Sequence, residues 1–562
     1  MASRCILLSL PEEVIEHITK YIPDDDDAVL NINLVCKQLY RLSGSPSEWR
    51  FRCRQLRYWE PKHNFYEKLK NPFPAEVEWR ALFVQRFHVR RRTTQLLNEI
   101  ISSPINRIPK YHEIGKFGYD AKDCLAEHAK VSEDAIDVLA RRWYAGVALH
   151  YIHRRRAVRI WQSIYSRQEV SLEAALGCFE LFNLKTAEGD PDETARMLDE
   201  LAARFQSVTP NLHQLSTKAK ASSLCKFMAQ EGFRGASSEH YRALKNSFIG
   251  ISLRTDRTNL PLTATAIFCS LATRIGLTAS PCGFPYHVLA IVNDNGRRIY
   301  LDPFRGDGNE LSVEGLENQL QTLGIDDEKD EYLRPSIVSE IVLRTARNIL
   351  ESLRHTPTTS REPNALVNRN SALYAALMAS VLLGPRITYN LIQHMAKLIQ
   401  EECPMDVIFF EQQIIPQATL PNCADLLQDT CIKLRNIDAT LNVVNHRSSA
   451  EEVKYRVGTV FKHKRYNYQG VIFGWTRTCS PADGDEWIQK MGVDRLARGR
   501  QQPFYHALVT DGTIRYVAEE NIDQERLESA DELSLLAGKY FKRYSTADGT
   551  FVSNIEDEYP DG

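Results

Sequence analysis

The chain has 562 residues, 43% apolar and 25% charged, with a formal net charge of -2, which excludes wholesale disorder, a fibrous repeat and a polycation built throughout for nucleic acid. At about 150 residues per domain this length predicts three or four packed units. The first apolar run is too short for a secretory core, the stretch 372–383 falls short of the ~20 residues that cross a bilayer, and the twelve cysteines form no Cys-x-x-Cys pair, so an intracellular setting in cytoplasm or nucleus is expected, with no metal, cofactor or membrane.

Pro11 with Glu12 and Glu13 behind it suits a helix start, because proline's missing N–H costs nothing in the first turn and acids complement the positive end of the dipole. Val14, Ile15, Ile18 and Ile22 follow as an apolar stripe, which Pro23 and the acidic run Asp24 to Asp27, read as a solvated loop, bring to an end. Val29, Leu30, Ile32, Leu34, Val35, Leu39 and Tyr40 predict one or two further short helices, with Trp49 and Phe51 behind them. Helices this short bury too little to stand alone and need a partner or a neighbouring domain.

The opening Leu10-Pro11-x-Glu13-Val14, the segment Leu34-Val35-Cys36-Lys37-x-Leu39-Tyr40 and the trailing Trp49 resemble the F-box. The resemblance implies binding to the Skp-family adaptor of an SCF-type ubiquitin ligase, and through it to a cullin. Leu10, Pro11, Ile15, Ile18, Leu34, Val35 and Leu39 are the implied contacts. The competing reading packs the same side chains inside an N-terminal bundle.

From Trp79 to about Arg204 the pattern is helical, and its basic stretches Arg90-Arg91-Arg92 and His153-Arg154-Arg155-Arg156 read as solvated faces. Pro261 opens a helix that runs through Thr273 to Gly276, with Ala264, Ile267, Phe268, Leu271 and Ala272 as its apolar face. Tyr286 to Val292 and Arg298 to Asp302 then read as strands joined by Asp294-Asn295-Gly296-Arg297, a strong hairpin signal. With Asn295 and Gly296 in the loop, Asp294 pairs with Arg297 and His287 faces Phe304. Asp302 then lies diagonally from His287, ~7–8 Å away at the backbone, which predicts a His287–Asp302 hydrogen bond.

A helix start facing a His–Asp pair is where a cysteine thiolate would be favoured by dipole and imidazole. Here that start reads Asn259-Leu260-Pro261-Leu262-Thr263, without a thiol. Cys269 lies about two turns further in, ~9–12 Å along the axis, and Cys282 precedes His287 in the following loop. The block from Trp161 to Phe304 resembles the bacterial transglutaminase-like family with a tetratricopeptide tail. The resemblance runs through Gly232-Phe233-Arg234-Gly235, Asn246-Ser247-Phe248, Leu260-Pro261-Leu262, Phe284-Pro285-x-His287 and Leu301-Asp302-Pro303-Phe304, with Tyr286 where that family favours glycine. It implies a non-catalytic relative in which His287 and Asp302 are a pseudo-catalytic pair. The alternative is a cysteine hydrolase or acyl transferase using Cys269 or Cys282 with His287–Asp302. Segments 337–353, 372–383, 389–399 and 423–437 read as scaffold helices around a loop at 356–364.

After Asn442 the periodicity turns to strands: 455–461, 470–475, 504–509 and 514–517, the last two joined by Asp511-Gly512, suggest a small barrel. Tyr455-x-Val457-Gly458-x-Val460, Arg465-Tyr466-x-Tyr468-x-Gly470-Val471-Ile472, Gln502-Pro503-Phe504-Tyr505 and Tyr516-Val517-Ala518-Glu519-Glu520-Asn521 resemble the YccV-like or HspQ family, named for hemimethylated-DNA binding. Lys462, Lys464, Arg465, Tyr466, Tyr468 and Arg477 are candidate contacts for DNA, through phosphate neutralisation and stacking, or for a protein partner.

The whole reads as multidomain and mainly α: a three-helix F-box at 1–55, a helical linker at 56–155, an α+β transglutaminase-like domain at 156–335, a helical tetratricopeptide-like extension at 336–445, a small YccV-like β-barrel at 450–525 and a polar tail at 526–562, disordered at its acidic end. The expected function is that of a non-enzymatic substrate-recognition subunit of an SCF-type ubiquitin ligase, with acyl transfer or DNA binding as alternatives.

Overall fold

The computed structural model describes all residues except 1–5, 24–26, 184–190, 328, 356–365, 386, 418–419, 441–443, 448–452, 482–483, 526–532, 534–535, 557 and 561–562. The loop expected at 356–364 and most of the acidic run at 24–27 therefore lie outside the described residues. Contacts divide the chain into two units, residues 1–149 with 436–562 and residues 150–435. The fold is mainly α-helical, with a short parallel pair at 234–235 and 258–259, a sheet at 279–311 and two more near the C-terminus.

The N-terminal helices are α1 (Glu12–Thr19), α2 (Ala28–Asn31), α3 (Lys37–Leu42) and α4 (Pro46–Gln55). Pro11 sits just ahead of α1, Pro46 opens α4, and the Cys36 sulfur accepts the Leu39 N–H at the start of α3, so each helix begins where its sequence supplies a start. Ile15, Leu39 and Leu42 form a small core, flanked by Leu8, Leu10, Ile32 and Cys36. A second core joins Val29, Trp49 and Cys53 to Trp79, Leu82, Phe83 and Phe87 of the long helix α5 (Trp79–Ser102). Buried Arg52 fastens the bundle, donating to Glu48 at 3.3 Å and to the Ile22 carbonyl at 3.1 Å. The neighbouring domain that such short helices require is α5.

Helix α6 (Val138–Tyr165) carries the second basic stretch. The solvated reading of that stretch fails at Arg154, which is 2% exposed. Its guanidinium makes a two-point pair with Asp406 at 2.7 and 2.8 Å, and Tyr374 donates to the same carboxylate at 2.9 Å. Burial is tolerable because the charges satisfy one another with fitted geometry.

Helix α7 (Pro261–Arg274) is enclosed for most of its length. It backs a four-stranded antiparallel sheet, β1 (Ala279–Cys282), β2 (Leu289–Asp294), β3 (Arg297–Leu301) and β4 (Glu310–Leu311), in sequential order. Thr265 donates to the Val288 carbonyl at 3.0 Å, tying α7 to the hairpin. The hairpin register pairs Asp294 with Arg297, and Asn295 and Gly296 both take positive φ, 53° and 96°. The β2 strand begins at Leu289 instead of Tyr286, because Tyr286 adopts φ 60° and breaks the extended run.

The C-terminal β domain contains β5 (Val460–His463), β6 (Gln469–Thr476), β7 (Phe504–Val509), β8 (Ile514–Ala518) and β9 (Ile522–Gln524). They form one antiparallel sheet in the order β8-β7-β6-β5-β9. Tyr455 to Thr459 do not extend β5 as expected. Gly458 takes φ +90° there, and a Cβ on it would stand 2.0 Å from the Phe551 carbonyl oxygen. That carbonyl belongs to a hairpin, β10 (Phe541–Ser545) and β11 (Thr550–Ser553). Part of the polar tail expected at 526–562 thus folds into the domain: Phe541 and Phe551 are buried with Val460, Phe461 and Trp475. Polar residues between these aromatics dilute the apolar signal in sequence, while two rings suffice to anchor a hairpin.

Candidate functional site

The seven side chains expected to meet an adaptor separate into two groups. Ile15 and Leu39 are 0% and 5% exposed and fill the small core, so their expected role as contacts is corrected to that of support. Leu34 and Val35, between α2 and α3, are 77% and 69% exposed, Ile18 and Pro11 are exposed, and Leu10 is half-buried. Val14 and Tyr40, exposed on α1 and α3, belong with them and were missed; periodicity places Val14 in the same stripe as Ile15 and does not decide which of the two faces inward. An ion pair between Arg41 and Glu12 ties α3 to the first turn of α1. These large apolar side chains are left in water on a small module.

In the second unit, His287 Nε2 and Asp302 Oδ2 are 2.9 Å apart, the hydrogen bond that the hairpin register predicts. Asp302 is buried; it also takes the Arg305 Nε at 3.1 Å and the Phe304 N–H at 3.1 Å. The His287 ring meets Phe304 edge-on at 5.5 Å, and Phe304 in turn requires Gly235, where a Cβ would lie 2.5 Å from its ring. The Asn246 carbonyl accepts the Thr263 hydroxyl at 2.9 Å in the first turn of α7. The matching motifs therefore build the scaffold around the pair.

Cys225, Cys269 and Cys282 are all buried. Burial pushes the Cys282 thiol up to about 11 and the Cys225 thiol up to about 12, the latter also opposed by the Asp302 charge, and it raises Cys269 still further. Cys282 spends its proton on the Tyr332 carbonyl at 3.1 Å. A thiol held protonated is a poor nucleophile.

In the β domain the motif residues also turn inward. Glu519 accepts from Tyr505 Oη at 2.6 Å and from the Lys454 N–H at 3.1 Å, while Glu520 accepts from the backbone N–H groups of Ala497 and Arg498. Fully buried Gln502 donates to Glu520 at 3.0 Å. His463 Nδ1 accepts from the backbone of Arg465 and Tyr466, shaping a tight turn that leaves Tyr466 63% exposed with the Arg465 guanidinium 5.3 Å from its ring centre. Lys464 is held on the Glu520 carbonyl at 2.9 Å, Lys462 lies 3.9 Å from Glu525, and Tyr468 is half-buried beneath Arg515. Arg477 follows the end of β6. Other bases of the domain are paired with acids: Arg498 with Glu519, Arg500 with Asp485 and Asp494, and Arg515 with Asp511.

Three family models match the chain: F-box-like at 7–55, the transglutaminase-like superfamily at 192–347, and hemimethylated DNA-binding protein YccV like at 453–548. The chain carries an F-box-like, a transglutaminase-like and a YccV-like domain. The YccV-like match runs past residue 525 into the β10 strand, in keeping with the hairpin's place in that core. Curated relatives include F-box only protein 21 of Mus musculus, 28% identical, of Pongo abelii, 27% identical, and of Homo sapiens, 26% identical, each over 350 residues. These alignments cover 58% of this chain and about half the length of the relatives, 52% to 53%. No solved structure matches. Among the described residues no helix is long and apolar enough to cross a membrane.

Proposed function

We propose that this chain is the substrate-recognition subunit of an SCF-type ubiquitin ligase inside the cell. The F-box-like helices dock a Skp-family adaptor and through it a cullin, and the transglutaminase-like and YccV-like domains hold the protein to be ubiquitinated. The domain limits stay at 1–55, 156–335 and, for the YccV-like domain, 450–525 extended by the hairpin. The observation that carries this reading is the exposure of Leu34 and Val35 within a segment that matches an F-box-like model. The name of the F-box only protein 21 relatives supports it.

The chain acts as an adaptor without covalent chemistry of its own, a reading supported by the burial of Cys225, Cys269 and Cys282 in the domain that carries the His287–Asp302 pair. The test is binding of the full chain to a purified Skp-family protein. Leu34→Asp with Val35→Asp should abolish it while leaving thermal unfolding unchanged, because neither side chain packs in the core. Unchanged affinity in the double variant would falsify the docking assignment.

Exposed Tyr466 beside Arg465 favours a second reading, in which the YccV-like domain stacks on DNA bases. The acid partners of Arg498, Arg500 and Arg515 weaken it, because phosphate contact must first break those pairs. Titration of the chain with a hemimethylated duplex at 50 and 200 mM salt decides: a steep loss of affinity with salt supports DNA contact, and no binding at either ends it.

A further inference from the structure

Phe284-Pro285-Tyr286-His287 forms a tight turn in which the Phe284 carbonyl accepts the His287 N–H at 3.3 Å. Tyr286 holds the third position at φ 60°, where proline-led turns with positive φ favour glycine. Its ring is 86% exposed and makes no hydrogen bond or ring contact among the described residues. Neither the strained backbone nor the uncovered ring stabilises the fold. The same Phe284 carbonyl accepts Arg344 Nη2 at 2.6 Å. Arg344 belongs to helix α8 (Val338–His355). The start of α8 is held against the strand before the turn: the Ser336 N–H donates to the Pro281 carbonyl at 2.8 Å, and a Cβ on Gly283 would stand 2.8 Å from Ser336 Oγ. At about 100° of rotation per residue, Ile337, Arg344 and Arg347 share one face, turned away from buried Ile341, Thr345 and Ile349. Ile337 is 60% exposed, and Arg347 is exposed too.

The charges on this face do not cancel. Arg344 donates to the Phe284 carbonyl and Arg347 to the Leu343 carbonyl at 3.4 Å, and neither forms an ion pair with an acid among the described residues. Burial, and then the Arg347 charge, lower the Arg344 guanidinium below its ordinary value. The acids of the same face are already engaged: Glu340 with Arg334 at 2.7 Å, and Glu351 with Arg242 and Arg354, both at 3.3 Å. Arg344 and Arg347, one helical turn apart, are therefore left with two uncompensated positive charges between an exposed ring and an exposed aliphatic side chain. A nucleic-acid strand draws its affinity from phosphates neutralised along a run of bases, and this pair is too short for that. Two carboxylates on a polypeptide match the charges, and an apolar side chain beside them covers Tyr286 or Ile337.

We propose that the face formed by Tyr286, Ile337, Arg344 and Arg347 docks an acidic segment of the protein to be ubiquitinated, with Asp or Glu carboxylates on the two guanidiniums and an apolar side chain on the exposed ring. The assignment rests on the reading that the transglutaminase-like domain holds the substrate. Random dodecapeptides displayed on phage are panned on the full chain after depletion on the Arg347→Glu chain, and the strongest is labelled with a fluorophore and titrated by anisotropy. The recovered peptides should be enriched in Asp and Glu beside an aromatic or aliphatic residue. Affinity should fall at least about tenfold with Arg347→Glu, with Tyr286→Asn, and with the peptide's acids changed to their amides. Asparagine tolerates positive φ, so Tyr286→Asn should unfold at the wild-type temperature or above it. Arg347→Glu should unfold with wild type, because the side chain lies outside the core. Both variants should bind a purified Skp-family protein as wild type does, which separates this site from adaptor docking. The proposal is overturned if wild type binds the Skp-family protein while no selected peptide depends on Arg347 and Tyr286. It is equally overturned if the dependent peptides carry no acids, or if dodecathymidylate binds more tightly than they do with the same dependence on Arg347.

Discussion

Leu34 and Val35 stand in solvent on a module whose smaller core is built on three buried side chains, whereas Cys225, Cys269 and Cys282 of the transglutaminase-like domain are buried, with their thiols pushed above the ordinary range. The two regions spend their folding energy differently. The F-box-like helices leave apolar surface uncovered and borrow stability from α5 through Trp49 and Cys53. The transglutaminase-like domain covers its chemically active groups and satisfies Asp302 three times over. Apolar surface left in water favours association, and a thiol held protonated is a weak nucleophile.

The comparison breaks first where burial is greatest. Ile15→Asp places a carboxylate in the Leu39–Leu42 core and should cost ~3 kcal/mol or more, read as early unfolding of the N-terminal helices in hydrogen exchange. Leu34→Asp, a similar change on the exposed side, should leave exchange rates unaltered and remove adaptor binding at least ~100-fold in pull-down titrations, the loss expected of a hot spot of ~3 kcal/mol. If both variants behave alike, the division between support and surface is wrong.

The thiols sharpen the other half. At pH 8 a soluble maleimide should leave Cys269 and Cys282 unlabelled in the native chain and label both in urea, by mass spectrometry. Because Cys282 sits at about 11 when folded against an ordinary value near 9, its folded form holds the proton longer. Its contribution to stability is therefore complete below pH 9 and is lost as pH rises toward 11. Denaturant midpoints should fall across that window, and Cys282→Ser should flatten the fall. The smallest effect is expected for His287→Ala: the ring is only half-buried, and Asp302 keeps Arg305 and the Phe304 N–H, so chemical denaturation should register ~1 kcal/mol or less.

Parts of both regions were legible before any tertiary contact was known. Asn295-Gly296 sets a two-residue turn, the turn sets the pairing of Asp294 with Arg297, and that register brings His287 to Asp302; each step is local. Pro11 with Glu12 and Glu13 marks the start of α1 for similarly local reasons. The terminal hairpin was not legible, because its anchors Phe541 and Phe551 gain meaning only against Val460, Phe461 and Trp475, far back in the chain.

Sequence by itself determined where helices and turns begin, the three domain types and the His287–Asp302 register, since dihedral preference, capping and alternation act over a few residues. Tertiary structure alone decided that Ile15 points inward while Leu34 points out, and that Arg154 is buried on Asp406 across 252 residues. Those outcomes depend on which distant surfaces meet, and burial belongs to the meeting, not to the residue.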